Sequence, residues 1–224
     1  MHNHHQLSLE APELVIIAGL SGSGKSAFLK QIKSDLLPEG VVLPDGVQDW
    51  PVVGSSRPIY PPGAPGFILH YDMNGRGLWD GADYRDDPAL VFVPWASALT
   101  VINLRPSPSQ LTRQLTEREN AKIAKRKREQ SRLIWRLSAP AIRVADRILP
   151  RRLTKAIRRR TPFRKTPEGL QKKLRLYEQP GWLEDIYARW AVYLDSVAQT
   201  GKPVRQIFIE PDEESFRWRL TSLL

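Results

Sequence analysis

Cysteine is absent from this chain, and with it go disulfide scaffolds, zinc fingers, thiol nucleophiles and iron–sulfur sites. No apolar run approaches the roughly 18 residues that a membrane span requires. The start, Met1-His2-Asn3-His4-His5, lacks the basic-then-apolar layout of a secretory signal. These absences lead to the expectation of a cytoplasmic protein. Charge is spread unevenly along the chain. Residues 121–175 hold 20 Lys/Arg against 3 Asp/Glu, a net charge of +17, so the rest of a chain with net charge +10 carries −7. Such asymmetry points to an anionic partner: nucleotide, nucleic acid or lipid headgroup.

What is present fits one α/β domain with an appendage, and 224 residues are ample for a sizeable core. Residues 1–12 read as a disordered lead. Leu14-Val15-Ile16-Ile17-Ala18 is a continuous apolar run of the kind that fills a buried parallel strand. Residues 26–33 have helical spacing, with Phe28, Leu29 and Ile32 on one face, and should end near Pro38-Glu39-Gly40. Val41-Val42-Leu43 reads as a second strand, and residues 47–66 as a long loop rich in proline and glycine. Residues 67–72 form a strand with an acid at its carboxyl end.

Further along, residues 88–97 suit either a strand, Leu90-Val91-Phe92-Val93, or a short helix from Pro88; the helix is favoured because the strand at 99–104 follows too closely for a parallel crossover otherwise. Pro106-Ser107-Pro108-Ser109 should cap a helix from about Gln110. Residues 131–149 are amphipathic and interrupted by Pro140, and 151–167 are basic and loop-like. Residues 168–198 read as helical, with Trp182, Ile186, Trp190 and Leu194 spaced by four. A last strand, 206–209, is closed by Pro211. Alternating β and α signals predict a sheet covered by helices.

One motif carries chemistry. Gly19-Leu20-Ser21-Gly22-Ser23-Gly24-Lys25-Ser26 fits G-x-x-x-x-G-K-[ST], entered by a buried strand and left by a helix. Its glycines let the backbone wrap a phosphate, and successive N–H groups at a helix N-terminus present positive dipoles to it. Lys25 should reach the β- and γ-phosphates and the Ser26 hydroxyl should ligate Mg²⁺. Phosphoryl transfer also needs a carboxylate near the metal at a neighbouring strand end, where Asp72 stands. Asp45 is the second candidate, but beside Gly46 it suits a turn better.

On these residues the chain resembles the P-loop NTPase superfamily. The resemblance implies a three-layer α/β fold, a parallel sheet with helices on both faces and a basic helical insertion. It also implies ATP and Mg²⁺ as cofactors. Residues 13–120 would be the nucleotide-binding core, 121–180 the insertion or lid, and 181–224 a helix and strand completing the core. Neither Asn-Lys-x-Asp nor Leu-Ser-Gly-Gly-Gln occurs, which disfavours GTPases and transporter-type ATPases. Met73 follows Asp72 where water-activating ATPases carry glutamate, so transfer to a bound acceptor gains over hydrolysis. The stretch Val101-Ile102-Asn103-Leu104-Arg105-Pro106-Ser107-Pro108, followed by Leu111, Leu115 and Arg118, looks like small-molecule and nucleoside-monophosphate kinases. That likeness places Arg118, and less firmly Arg113, at the base of a lid over the transferring group, although Gln114 stands where arginine is common.

The unidentified small acceptor would meet Tyr71, Asn74, Arg76, Trp79 and Arg85. For the basic segment, densest at Lys125-Arg126-Lys127-Arg128 and Arg158-Arg159-Arg160, three readings stay open. It is a solvated surface or lid, a docking element for an anionic membrane or a protein complex through 121–165, or a nucleic-acid contact. The last is weakened by the few aromatics and the lack of a reader module. A regulatory or adaptor protein, peripheral to a membrane, is therefore the alternative to a kinase, and a nucleic-acid-dependent ATPase a minor one. His70, inside a strand, is expected to be packed or hydrogen-bonded, and Trp182 and Trp190 to be core.

Overall fold

Strict alternation of side chains along parallel strands divides the core into two halves. The computed structural model describes residues 11–56, 59, 63–73, 83–130, 167–211 and 218–224. They form strands β1 (Glu13–Gly19), β2 (Val52–Gly54), β3 (Gly66–Asp72), β4 (Leu99–Leu104), β5 (Val204–Pro211) and β6 (Trp218–Leu223). The helices are α1 (Lys25–Lys33), α2 (Pro108–Gln130), α3 (Pro167–Glu178) and α4 (Trp182–Ala198). One sheet runs β2-β3-β1-β4-β5-β6, parallel except for the antiparallel pair β5–β6. The expected α/β class with a mostly parallel sheet is what the chain forms. The contacts divide the chain into two units, Met1–Leu111 with Pro180–Leu224, and Thr112–Gln179. The sheet, α1 and α4 belong to the first.

Every residue of β1 after Glu13 is buried, as a strand covered on both faces requires. Val15 and Ile17 point to one face, where they join Ile68, Ile102, Leu104, Ile207 and Ile209 beneath Phe28 and Ile32 of α1. The intervening residues point to the other face, which α4 covers with Ile186, Trp190 and Leu194, all buried. There Trp190 stacks on Tyr71 at 5.3 Å between ring centroids and donates to Asn103 Oδ1 at 2.7 Å. Tyr71 in turn donates to the buried Asp87 at 2.8 Å. One face is aliphatic; the other is aromatic and hydrogen-bonded.

Several elements depart from the expectations. Val41-Val42-Leu43 is not a strand: Val41 is buried against the α1-side core without joining the ladder. The strand next to β3 is instead Val52–Gly54, within the stretch expected to be loop, opened by Ile68 N donating to Pro51 O at 2.9 Å. Its three residues are too few to show a period. Residues 88–97 hold two 3₁₀ turns, Pro88–Leu90 and Val93–Trp95, rather than one helix, since Pro94 interrupts the run. Helix α2 begins at Pro108, where proline suits a first turn. Pro180-Gly181 breaks the expected helix 168–198 into α3 and α4. Pro211 does not end the sheet, because β6 returns antiparallel beyond it. The expectations for residues 1–10, 131–149 and 151–166 concern positions outside the described residues. No helix among the described residues is long and apolar enough to cross a membrane.

In the second unit, α2 carries Glu119, whose carboxylate pairs with Lys122 one turn on and lies 4.0 Å from Arg118 Nε.

Candidate functional site at the carboxyl ends of β1 and β3

Strands β1 and β4 are neighbours whose connections leave in opposite directions, toward β2 and toward β5. The crevice outside the carboxyl ends at such a reversal is where open parallel sheets bind ligands. The segment 19–26 occupies that end of β1. Gly22 and Gly24 have φ of 97° and 86°, a left-handed conformation that a side chain resists. Gly24 is doubly required. A Cβ there would stand 2.5 Å from the ring of Trp218 on β6. Gly24 also begins α1 without any side chain capping it, so N–H groups of the first turn keep capacity for an anion.

Lys25 is the first residue of α1 and only 6% exposed. Its Nζ donates to Gly19 O and Leu20 O, each at 2.7 Å, and lies 3.7 Å from Asp72 Oδ1. The register explains the last contact: β1 and β3 run parallel with Gly19 opposite Asp72, and Met73 N donates to Gly19 O at 3.1 Å. Asp72 Oδ1 is buried and accepts no hydrogen bond, so its charge is directed at the Lys25 ammonium. Ser26 is exposed, and its Oγ sits 3.3 Å from His70 Nε2. His70 shares the α1-side face of β3 with Asp72, two residues on. Burial first, then the Lys25 charge, holds the His70 ring below its ordinary pKa of 6.5, so the neutral ring is favoured beside Ser26. Ser23 is fully buried beside Gly19, with its Oγ unpartnered.

Thus Gly19, Ser21, Gly22, Ser23, Gly24, Lys25 and Ser26 form one turn, and Asp72 joins it across the sheet. Asp45 is exposed before Gly46, in the turn expected of it. Tyr71 does not line this place, since alternation sends it to the opposite face from Asp72, where it is fully buried. Arg85 is folded onto Asp83, at 2.8 Å from Nε and 2.5 Å from one terminal nitrogen. Asn74, Arg76 and Trp79 lie outside the described residues. Arg113 and Arg118 are on α2 in the second unit, both exposed. The sequence reading missed the His70–Ser26 contact, which the shared parity of His70 and Asp72 signals, and Trp218 over Gly24, which has no local signal.

The donor set can be tested against Mg²⁺. Among the described residues no cluster of three or more His, Cys, Asp or Glu could hold a metal. The Ser26 hydroxyl and the unpartnered Asp72 oxygen fit an ion that takes one or two protein oxygens and completes its shell with water and phosphate. Comparisons with protein-family profiles, curated proteins and solved structures returned no match.

Proposed function

We propose that segment 19–26 binds the polyphosphate of ATP and that the chain is a kinase-type phosphotransferase acting on a small acceptor. The observation that carries this reading is the meeting of Lys25 with Asp72 at the uncapped N-terminus of α1. A buried cation beside a carboxylate, at a helix N-terminus that no side chain caps, suits a metal-bound phosphate chain better than a structural turn.

Under this reading the backbone N–H groups of the glycine turn and of α1 hold the phosphates. Lys25, exchanging its neutral carbonyl partners for phosphate oxygens, holds the transferring group in place. Ser26 and Asp72 would hold Mg²⁺, which when bound neutralises charge developing on the phosphates. His70, kept neutral, accepts from the Ser26 hydroxyl and leaves that oxygen's lone pairs for the metal side. The acceptor oxygen attacks the γ-phosphorus and gives any proton it carries to solvent, the bond to the bridging oxygen breaks, and ADP leaves with the electron pair.

Calorimetry with Mg·ATP tests the reading. Lys25→Ala should weaken binding by about tenfold to a hundredfold, the worth of a charge-assisted hydrogen bond; unchanged affinity removes the proposal. The adaptor reading rests on 121–165, most of which lies outside the described residues, and no observation in the described part favours it.

A further inference from the structure

On the α4 side, at the carboxyl end of β4, three polar atoms are buried without a hydrogen-bond partner: Asn103 Nδ2, Arg105 Nε and Tyr187 Oη. They are neighbours by construction. Asn103 points to the α4 face of β4, and Arg105, two residues on, follows the same alternation. Tyr187 and Trp190 are one turn apart on α4. Trp190 donates to Asn103 Oδ1 at 2.7 Å, and the Arg105 guanidinium lies 5.0 Å from the Tyr187 ring centroid and 4.4 Å from that of Phe208.

Each contact fixes a donor. The Trp190 bond turns Asn103 Oδ1 toward the indole, which leaves the two N–H donors of the amide facing away from it. Asn103 is 2% exposed, hence those donors have no bulk water to turn to. The rings of Tyr187 and Phe208 hold the guanidinium plane without offering it an acceptor. Arg105 makes no ion pair among the described residues; the Glu210 carboxylate acts on it only at longer range, and burial is the larger influence on its charge. Donors outnumber acceptors here, whereas the neighbouring Tyr71 hydroxyl and Trp190 indole N–H on the same face each have an acceptor. Buried groups of this kind call for a missing acceptor.

We propose that Asn103, Arg105 and Tyr187 form an oxyanion subsite, and that the phosphoryl acceptor is a small molecule bearing a carboxylate or a phosphate. The acceptor role rests on the nucleotide reading above; the anion site does not. The subsite stands at the end of β4, beside the strand that carries the glycine turn, with Ala18 of β1 paired to Asn103. One substrate anchored there would have its other end at the turn. A cation held between two rings loses little freedom on binding, which favours selection of a planar or tetrahedral oxyanion over a neutral hydroxyl group.

The experiment is a titration of the full chain with inorganic phosphate and, separately, malonate, followed by the arginine Nε–H signals in ¹⁵N–¹H spectra. It is run on wild type and on Lys25→Ala, so that capture of the anion by the glycine turn is recognised. A saturable shift of the signal that Arg105→Lys removes is expected in both proteins. Affinity, read for each variant by calorimetry with the same anions, should fall about tenfold or more in Arg105→Lys and about threefold to tenfold in Tyr187→Phe, which keeps the ring and loses the hydroxyl. Mg·ATP affinity should stay within about twofold in both variants. Whether phosphate or malonate binds more tightly names the source. The absence of saturation, equal affinity in Arg105→Lys, or binding lost in Lys25→Ala overturns the subsite. If Mg·ATP binding ignores Lys25 while the Arg105 shift persists, the acceptor role falls. A screen for ADP release should then find acidic acceptors whose KM, rather than kcat, rises in Arg105→Lys; release with neutral compounds alone also overturns the acceptor role.

Discussion

The two faces of the sheet are built from the same strands by different chemistry. Toward α1 the core is mostly Val, Ile and Leu with Phe28 and Trp50, and Lys25, His70 and Asp72 stand at its carboxyl end. Toward α4 it is Tyr71, Tyr84, Trp190 and Tyr193 in ring contact, with Asp87, Asn103 and Arg105 among them. An aliphatic face gains stability from volume and tolerates small changes of shape. A polar aromatic face is held by specific partners and suffers when one atom is lost. The glycine turn thus rests on the face that is stable by bulk, while the other face fixes the register of α4 on β4.

Three stability measurements would break or sharpen that contrast. The largest effect is expected for Phe28→Ala, which empties the centre of the α1 side and removes an edge-on contact with Trp218 at 5.5 Å. Urea unfolding should show a loss of about 3–5 kcal/mol; a loss under 1 kcal/mol, well short of that range, would mean this face is not held by volume. The second compares single-atom or single-methyl deletions. Tyr71→Phe strips one donor from the buried Asp87 carboxylate and should cost about 1.5–3 kcal/mol, against about 0.5–1.5 for Ile17→Val on the other face. Equal costs would erase the distinction.

The smallest effect is the pH dependence from His70. Its native pKa is held below the ordinary 6.5, so the unfolded chain takes up a proton before the folded one does. Stability should therefore fall as pH drops from 6.5 through the lower native value. Thermal melts between neutral and acid pH should lose that part of the slope in His70→Gln. A variant whose slope matches wild type would show that the ring is not held neutral.

How far the sequence disclosed this arrangement differs by element. Strands buried on both faces, β1 and β3, and the helix α1 were legible because their apolar runs are long and their punctuation local. The glycine turn was legible for the same reason. Strand β2 was not, being three residues long and ordered by β3 rather than by its own pattern, and Val41-Val42-Leu43 misled because burial alone does not make a ladder. β6 was hidden behind Pro211, which a strand near the sheet edge tolerates. At the site, Asp72 could be placed from its position at a strand end. The subsite residues could not: Asn103, Arg105 and Tyr187 are distant in the chain and acquire meaning only when α4 lies over β4.

Trp218 leaves a practical legacy. Its indole covers Gly24, where a side chain would collide with the ring, while its other neighbour, Phe28, is fully buried in the core. One edge of the ring therefore rests on the turn and the other on a rigid floor. The emission lost in Trp218→Phe, taken as a difference from the chain with all seven tryptophans, becomes an internal gauge. It reports displacement of Gly24 in real time, with no label attached to the chain.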